Sequence, residues 1–450
     1  MTGARENHRH YTFPNGVHPP EYKELAQEAA IEVVPTPAQV QLPLSQHIGA
    51  PCEPVVKPKD EVELGTLVAK AGGFVSAPLH SPLKGVVVKG GVCTLPVGKR
   101  VPTVRLKAQG DQLEGQALFD EILGGDWPLE GIGDLSREEI GKAVQEGGLV
   151  GLGGAAFPTH VKFAPNEKNP IDTLLVNGCE CEPYLNSDYR LMVEAPAPIV
   201  AGALLAARAA GAGRVVLCVE DNKPRALAAL REAAAGTGAE VAVMRTKYPQ
   251  GGERQLIKAL LGRDVPTLGL PLQVGAVVVN VGTAAAMARA VLRGRPLTHR
   301  VISITGQGIV RPANVLAPIG ISYGELVEFA GGLRPEAERV VAGGPMMGFA
   351  LVDLDTPVTK GTSGITVLTG EQVRKAAETN CIRCGRCVDV CPLDLVPTKL
   401  ALAVRHRDWE TARRYHLPAC IECGSCAYTC PASLPLTQLI RQGKAEMPRE

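Results

Sequence analysis

The spacing of apolar and polar positions changes character several times along this chain, and each change predicts a different kind of unit. From about residue 38 to 108, apolar positions come in short runs cut by Gly and Pro. Alternation such as Val62-Glu63-Leu64 and the turn Ser81-Pro82-Leu83-Lys84-Gly85 predict short strands. Ser136-Arg137-Glu138-Glu139 has the form of a capping box and opens a helix, SREEIGKAVQEGG. Apolar β-branched runs then follow at 173–176, 214–219, 241–244 and 276–281, separated by Ala/Leu/Arg stretches such as PRALAALREAAA. Buried strands alternating with helices predict an α/β unit with a largely parallel sheet, ending near residue 294. Residues 299–349 return to short strands and turns, and from Gln372 onward the pattern is helical.

The predicted fold is therefore multidomain α/β. An N-terminal unit over 1–110 resembles a biotinyl/lipoyl-type barrel-sandwich. A Gly- and Asp-rich linker covers 111–135, and the α/β domain covers 136–294. A small β-grasp-like domain spans 295–350, and a helical, ferredoxin-like two-cluster domain spans 372–450. A length of 450 residues agrees with about three or more domains. Lys84 lies in its SPLKG turn without the flanking signature of a carrier lysine, so it is read as a solvated turn residue. The most apolar helical stretch, 199–210, is far short of the about 20 residues that a bilayer span needs, and it contains Arg208. Any membrane attachment is therefore expected through a partner. The first residues carry no apolar core of signal-peptide length, so the thirteen cysteines are expected in a reducing compartment. A net charge of +1 leaves no basic field for DNA or RNA, so no nucleic-acid partner is expected.

Two cysteine runs carry the strongest chemical signal. Cys381, Cys384, Cys387 and Cys391-Pro392 form C-x2-C-x2-C-x3-C-P, and Cys420, Cys423, Cys426 and Cys430-Pro431 repeat that spacing. Three thiolates on one tight turn can each bind one corner of a cubane, whereas zinc sites use separated pairs, so the runs predict two [4Fe–4S] clusters. Gly385 and Gly424 let the backbone curl close to the sulfides. The proline after each fourth cysteine turns the chain away, which predicts crosswise ligation. One cubane takes Cys381, Cys384, Cys387 and Cys430; the other takes Cys420, Cys423, Cys426 and Cys391. The helical connection between the runs argues against a small β-hairpin ferredoxin. Cys52, Cys93, Cys179 and Cys218 read as buried or loop thiols, Cys181 as a neighbour of chemistry, and Met346 and Met347 as packing.

Gly151-Leu-Gly153-Gly154-Ala-Ala156 formally fits the dinucleotide fingerprint G-x-G-x-x-G/A, but a helix precedes it where a Rossmann unit needs a strand. What remains is a glycine-rich loop with free N–H groups, then Phe157 and Lys162, which suits a phosphate.

These residues carry a resemblance. GGLVGLGGAAFPTHVKF, LLVNGCECEPYLNSDYRLM, YPQGGERQLI and VVNVGTAAAM resemble the flavin domain found in the C subunit of the Rnf complex and in the flavoprotein of respiratory complex I. GVHPPEYK and LPLSQHIGAPCEPVVKPKD resemble the N-terminal domain of the same Rnf protein. The resemblance implies FMN cradled by Gly151, Gly153, Gly154 and Lys162. It also implies polar contacts from Asn177, Glu180, Tyr248, Gly251, Gly252, Glu253, Asn280 and Thr283. NAD(H) would stack near Phe157, with Glu182 reaching a ribose. Taken singly, Tyr248 reads as a core ring and Glu182-Pro183 as a turn. The family has glycine where this chain has Ala156, so a methyl is expected at the flavin or nicotinamide approach.

A flavin belongs between the two-electron nicotinamide and the one-electron clusters. The resemblance thus implies an oxidoreductase subunit of an ion-translocating complex, passing electrons between NAD(H) and a ferredoxin branch. It would be peripheral to the cytoplasmic face of the cell membrane, bound to integral-membrane and Fe–S subunits and indirectly to ferredoxin. Two rivals are a soluble corrinoid reductase of the propanediol-utilisation type and a non-catalytic electron-carrying scaffold. The first carries its barrel-sandwich at the other end of the chain.

Overall fold

The computed structural model describes residues 10–164, 168–373 and 376–448, and among these the strands form four sheets. The N-terminal unit is a sandwich of two antiparallel sheets. One runs Gln39–Pro43, Arg100–Ala108, Gly85–Thr94, Glu61–Val62; the other runs Glu53–Pro54, Leu67–Lys70, Leu79–His80. Alternate residues point inward, so Val40, Leu42, Val68, Leu79 and Leu106 are fully buried. Lys84 stays exposed and pairs with Glu63 at 2.9 Å.

The stretch expected to be a linker is folded instead. Gly115–Ile122 is a helix whose Leu118 and Ile122, four apart on one face, enter the main core. Trp127 is buried behind it under the Arg293 guanidinium, 3.6 Å from the ring centre. The flanking glycines and aspartates hid a face only two turns long.

The α/β domain holds a parallel sheet in the order Glu240–Met244, Arg214–Glu220, Thr173–Gly178, Ala276–Asn280. The chain starts at Thr173, steps outward twice, then returns to the other side of its first strand. The carboxyl ends of the Thr173 and Ala276 strands therefore flank a switch point, where such sheets bind ligands. Helix Pro196–Ala210 packs on helix Val281–Arg293 so closely that a Cβ at Gly202 would lie 1.7 Å from the Ala284 carbonyl oxygen. That contact explains the apolar stretch noted above: it is core. Among the described residues no single helix is long and apolar enough to cross a membrane; only the bent pair Ser187–Glu194 and Pro196–Ala210 passes on length and composition, with a 98° break.

The third unit is larger than the expected 295–350. Its six-stranded sheet places Gly364–Thr369 between His299–Thr305 and Ala337–Ala342, and adds Ile31–Val33 as a parallel edge strand beside Ala313–Pro318. Neither distant strand can be assigned to this sheet from local periodicity. Helix Tyr323–Phe329, opened by a Ser322/Glu325 capping box, covers it. The last unit carries only helices among its described residues. Pro397–Arg405 and Leu436–Glu446 pack through Leu400, Val404 and Ile440.

Candidate functional site

The Ser136 capping box forms as predicted, with Ser136 accepting from the Glu139 amide and the Glu139 carboxylate accepting from the Ser136 amide. Its helix, Arg137–Glu146, delivers the chain into the glycine loop, so a helix and not a strand precedes it. The loop is closed by Gly151 N–H to the Phe157 carbonyl at 2.8 Å and Ala156 N–H to the Gly151 carbonyl at 3.2 Å. Gly153, Gly154 and Ala155 are exposed, and Gly154 has φ 113°, a conformation that favours glycine. Ala156 also has positive φ, 49°, a backbone that glycine, expected at this place in the family, adopts without strain. Its methyl does not stand at the open face of the loop. It is 7 % exposed and lies close to Gly361 of the third unit.

The polar residues named from sequence do converge on the switch point. Lys162 donates to Glu253 at 2.8 Å and to the Val278 carbonyl at 2.9 Å. Asn177 ends its strand by donating to the Gly251 carbonyl at 2.8 Å. Gly251 must lack a side chain, because a Cβ there would lie 2.1 Å from the Cys179 carbonyl oxygen. Gly252 forms the N-cap of helix Glu253–Leu261. Asn280 caps helix Val281–Arg293 by accepting from Gly282 and Thr283, and donates to Asp188 at 2.7 Å. The Thr283 hydroxyl accepts from the Leu152 amide at 2.8 Å, which ties the glycine loop to that helix. Gly153 lies beside Asn280, close enough that a Cβ there would touch its side chain at 3.5 Å. Glu180 is placed differently from a ligand contact: its carboxylate accepts from Ser187, Asp188 and Tyr189 and so caps helix Ser187–Glu194.

Glu182 lies against the Met346–Met347 turn. One of its oxygens accepts from the Met346 and Met347 amides at 2.7 and 3.0 Å. Burial raises its pKa, opposed by those amides and by the Tyr248 hydroxyl. Tyr248, 2 % exposed, donates to the Cys423 carbonyl at 2.7 Å. Cys181 accepts from the Gly251 amide at 3.3 Å, and burial pushes its thiol well up. Tyr248, Cys423, Val17, Cys181 and Met346 pack as one cluster, which joins the Gly251 loop to the second cysteine run. Met346 and Met347 thus act through their backbone amides as well as by packing.

The cysteine runs also converge. Cys391, Cys420, Cys423 and Cys426 line one pocket, walled further by apolar groups such as Leu395, Leu400, Ile421 and Ile440 and by Glu422, Ser425 and Thr437. Cys387 and Cys430 share a second buried cluster with Ala401 and Leu436, and Cys426 borders both groups. Among the described residues no three His, Cys, Asp or Glu side chains meet closely enough to hold a single ion. Four thiols in a dry pocket fit an iron–sulfur cubane.

Three features escaped the sequence reading. Asp188 is half-buried beneath Asn280, and desolvation together with Glu180 raises its carboxyl. Lys23 reaches from the N-terminal segment to the Glu182 and Leu185 carbonyls. Lys360, wholly buried, donates to the Pro78 and Gly148 carbonyls, both at 2.6 Å, and so locks the barrel, the glycine loop and the third unit together. Burial lowers its ammonium to about 8. Lys23 and Asp188 lie within the segments that carry the resemblance and Lys360 outside them, but no spacing marks any of the three as a site residue.

Comparison with known proteins follows the same order of units. Residues 11–111 match the RnfC barrel sandwich hybrid domain, 144–289 the Nuo51 FMN-binding domain, 301–350 the SLBB domain and 373–431 a 4Fe-4S dicluster domain. In fold alone the chain is similar to an NAD+-reducing [NiFe]-hydrogenase in the H2-reduced state, with TM-score 0.50 and 22 % identity over 71 % of this chain and 63 % of that one. It is 42 % identical to the C subunit of the proton-translocating ferredoxin:NAD(+) oxidoreductase complex of Clostridium ljungdahlii, over 87 % of this chain and 84 % of that protein. It is 41 % identical to the C subunit of the Na(+)-translocating complex of Acetobacterium woodii, over 90 % of each. It is also 41 % identical to the C subunit of the ion-translocating oxidoreductase complex of Rhodobacter capsulatus, over 97 % of this chain and 83 % of that one. On these relatives and on its N-terminal domain, the chain belongs to the RnfC family, whose members are components of ion-translocating ferredoxin:NAD(+) oxidoreductase complexes.

Proposed function

We propose that this chain passes electrons between NAD(H) and two [4Fe–4S] clusters by way of one FMN, as the nicotinamide-facing subunit of an ion-translocating complex. The observation that carries this reading is the hydrogen bond from Tyr248 to Cys423, which sets the switch-point loop directly against the second cysteine run. A bound flavin supplies the conversion between two-electron and one-electron transfer. The residues of the chain hold and orient. Gly153 and Gly154 are exposed, and Lys162 directs two of its three N–H donors to Glu253 and Val278. The third donor is available to a phosphate, with Asn280 and Thr283 at the adjacent helix start.

For the clusters, Cys420, Cys423, Cys426 and Cys391 form one ligand set and Cys381, Cys384, Cys387 and Cys430 the other. The first set adjoins Tyr248, and the second includes the exposed Cys384, so electrons leave the flavin side through the buried set and reach partners through the exposed one. The partners are the integral-membrane and Fe–S subunits of the complex, with ferredoxin reached indirectly, and the chain sits peripherally on the cytoplasmic side of the membrane.

The test is anaerobic purification with flavin, iron and sulfide analysis, then titration with NADH. One FMN and about eight iron atoms per chain, all bleached by NADH, are expected from two cubanes. Flavin-free protein, or flavin that NADH does not reduce, overturns the reading. Lys162→Ala should weaken FMN binding by roughly ten- to a hundredfold, the worth of one charge-assisted hydrogen bond. Unchanged affinity in a fluorescence titration removes Lys162 from the phosphate site.

A further inference from the structure

We propose that the tip of the N-terminal barrel, with Phe74 as its contact residue, forms the adenine-side wall of the dinucleotide cleft; this rests on the NAD(H) reading above. Two barrel loops meet beside the glycine loop and are fused to each other. Ala50 N–H binds the Val75 carbonyl at 2.9 Å, the Ser76 hydroxyl binds the Ala50 carbonyl at 2.9 Å, and Ala77 N–H binds the His47 ring at 3.1 Å. At Gly49, with φ 110°, a Cβ would stand 2.0 Å from the Val75 carbonyl oxygen, so the approach of the two loops requires glycine.

The fused tip is tied to the glycine loop on both sides of Phe157. Ile48 N–H donates to the Ala156 carbonyl at 3.3 Å, and the His160 ring nitrogen binds the Phe74 carbonyl at 2.9 Å. The Phe74 and His160 rings meet edge to face, 5.6 Å apart. Despite these ties, the Phe74 side chain is 63 % exposed and Ile48 is 54 % exposed. A phenyl ring mounted on a fixed backbone loses little freedom when a planar group stacks on it, and every nucleobase offers such a face. Gly153 of the exposed turn lies beside Asn280 at the switch point, and Ala156, at the other end of the same loop, binds the tip, so a dinucleotide whose nicotinamide lies by Phe157 has the barrel as its neighbour. The nicotinamide half then belongs to the α/β domain and the adenine half to a different domain.

The experiment compares NADH with reduced nicotinamide mononucleotide, which lacks the adenosine half, using the full chain loaded with FMN and clusters and an artificial electron acceptor. Phe74→Ala should raise KM for NADH about tenfold, the loss of one stacked base, with kcat and FMN content unchanged. KM for the mononucleotide should not move, and Phe74→Trp should keep the wild-type KM for NADH. Equal loss with both nucleotides, or failure of Trp to substitute, would show a merely structural ring. An unchanged KM for NADH overturns the proposal, including the case where electron delivery to the assembled complex falls and the ring serves protein docking instead. Wild-type protein that oxidises neither nucleotide would refute the broader NAD(H) reading, a different result from any of these.

Discussion

The two cysteine runs have one backbone and two environments. Arg383 and Glu422 sit at φ 55° and 57°, Gly385 and Gly424 at 78° and 80°, Asp394 and Ser433 at 53° and 51°. Each run continues into one turn of helix, Arg386–Asp389 or Ser425–Tyr428. Yet Cys384 is exposed where Cys423 is buried, and Ile382 is 67 % exposed where Ile421 packs under Tyr248. Arg383 stands in the open, whereas its counterpart Glu422 is held by Arg441 at 3.2 Å and Lys444 at 2.5 Å. Spacing therefore fixes the turn, and the position in the whole molecule fixes access. A pair of chemically equal centres becomes an inner one and an outer one.

The sharpest way to break this comparison is to remove single thiols. If ligation is crosswise, Cys430→Ala should abolish the same EPR signal as Cys384→Ala, and Cys391→Ala the same signal as Cys423→Ala. Loss of a ligand removes or converts a whole cluster, the largest effect available. The packing of Cys391 with Cys420, Cys423 and Cys426 around one pocket is the structural reason for this expectation. If Cys430→Ala instead matches Cys423→Ala, each run closes its own cluster and the inner and outer assignments must be redrawn. A milder disturbance uses access alone. Brief exposure to ferricyanide with a chelator should bleach the signal that Cys384→Ala abolishes before the one that Cys423→Ala abolishes. Simultaneous loss would mean that Tyr248 and Met346 do not shield the inner run.

Much of this was readable from residues. The cysteine spacing, the Ser136 box and the parallel sheet are local patterns, and local patterns survive folding. The convergence of Lys162, Asn177, Glu253 and Asn280 came through resemblance, since nothing in their spacing brings them together. What stayed hidden depends on distant strands and on burial. Ile31–Val33 joins a sheet whose other strands lie hundreds of residues on, and the Leu118 face was masked by glycines around it. Glu182, which the resemblance implies at a ribose, has one oxygen bound to the Met346 and Met347 amides, a pairing across more than 160 positions that no periodicity encodes.

The matched glycines test whether the inner run is clamped. Alanine at either position costs about 1–2 kcal/mol for its left-handed backbone. At Gly385 no protein atom lies within 4 Å of the added Cβ, so no clash with the rest of the chain adds to that cost. At Gly424 the Cβ would meet the Met346 carbonyl oxygen at 2.7 Å, and backbone must move. Gly424→Ala should therefore destabilise by about 1–3 kcal/mol more than Gly385→Ala in denaturant titration. Equal losses would show that the 346–347 turn lifts off freely.

The smallest expected effect is also the most local. Tyr248→Phe deletes one oxygen and keeps the ring, so the packing around Val17 and Cys181 is preserved while the Cys423 carbonyl loses its 2.7 Å donor. One such bond is worth about 1 kcal/mol net, and somewhat more where water cannot replace it. The inner cluster's EPR spectrum should shift because a dipole beside one of its ligands has changed. The outer cluster serves as an internal control, because no described residue couples Tyr248 to Cys381, Cys384 or Cys387 in the way that Cys423 is coupled. A change confined to the inner signal supports Tyr248 as the joint between flavin loop and cluster. Changes in both signals would mean that the hydroxyl holds the whole C-terminal unit in place, and that the two runs differ less in their attachment than in their exposure.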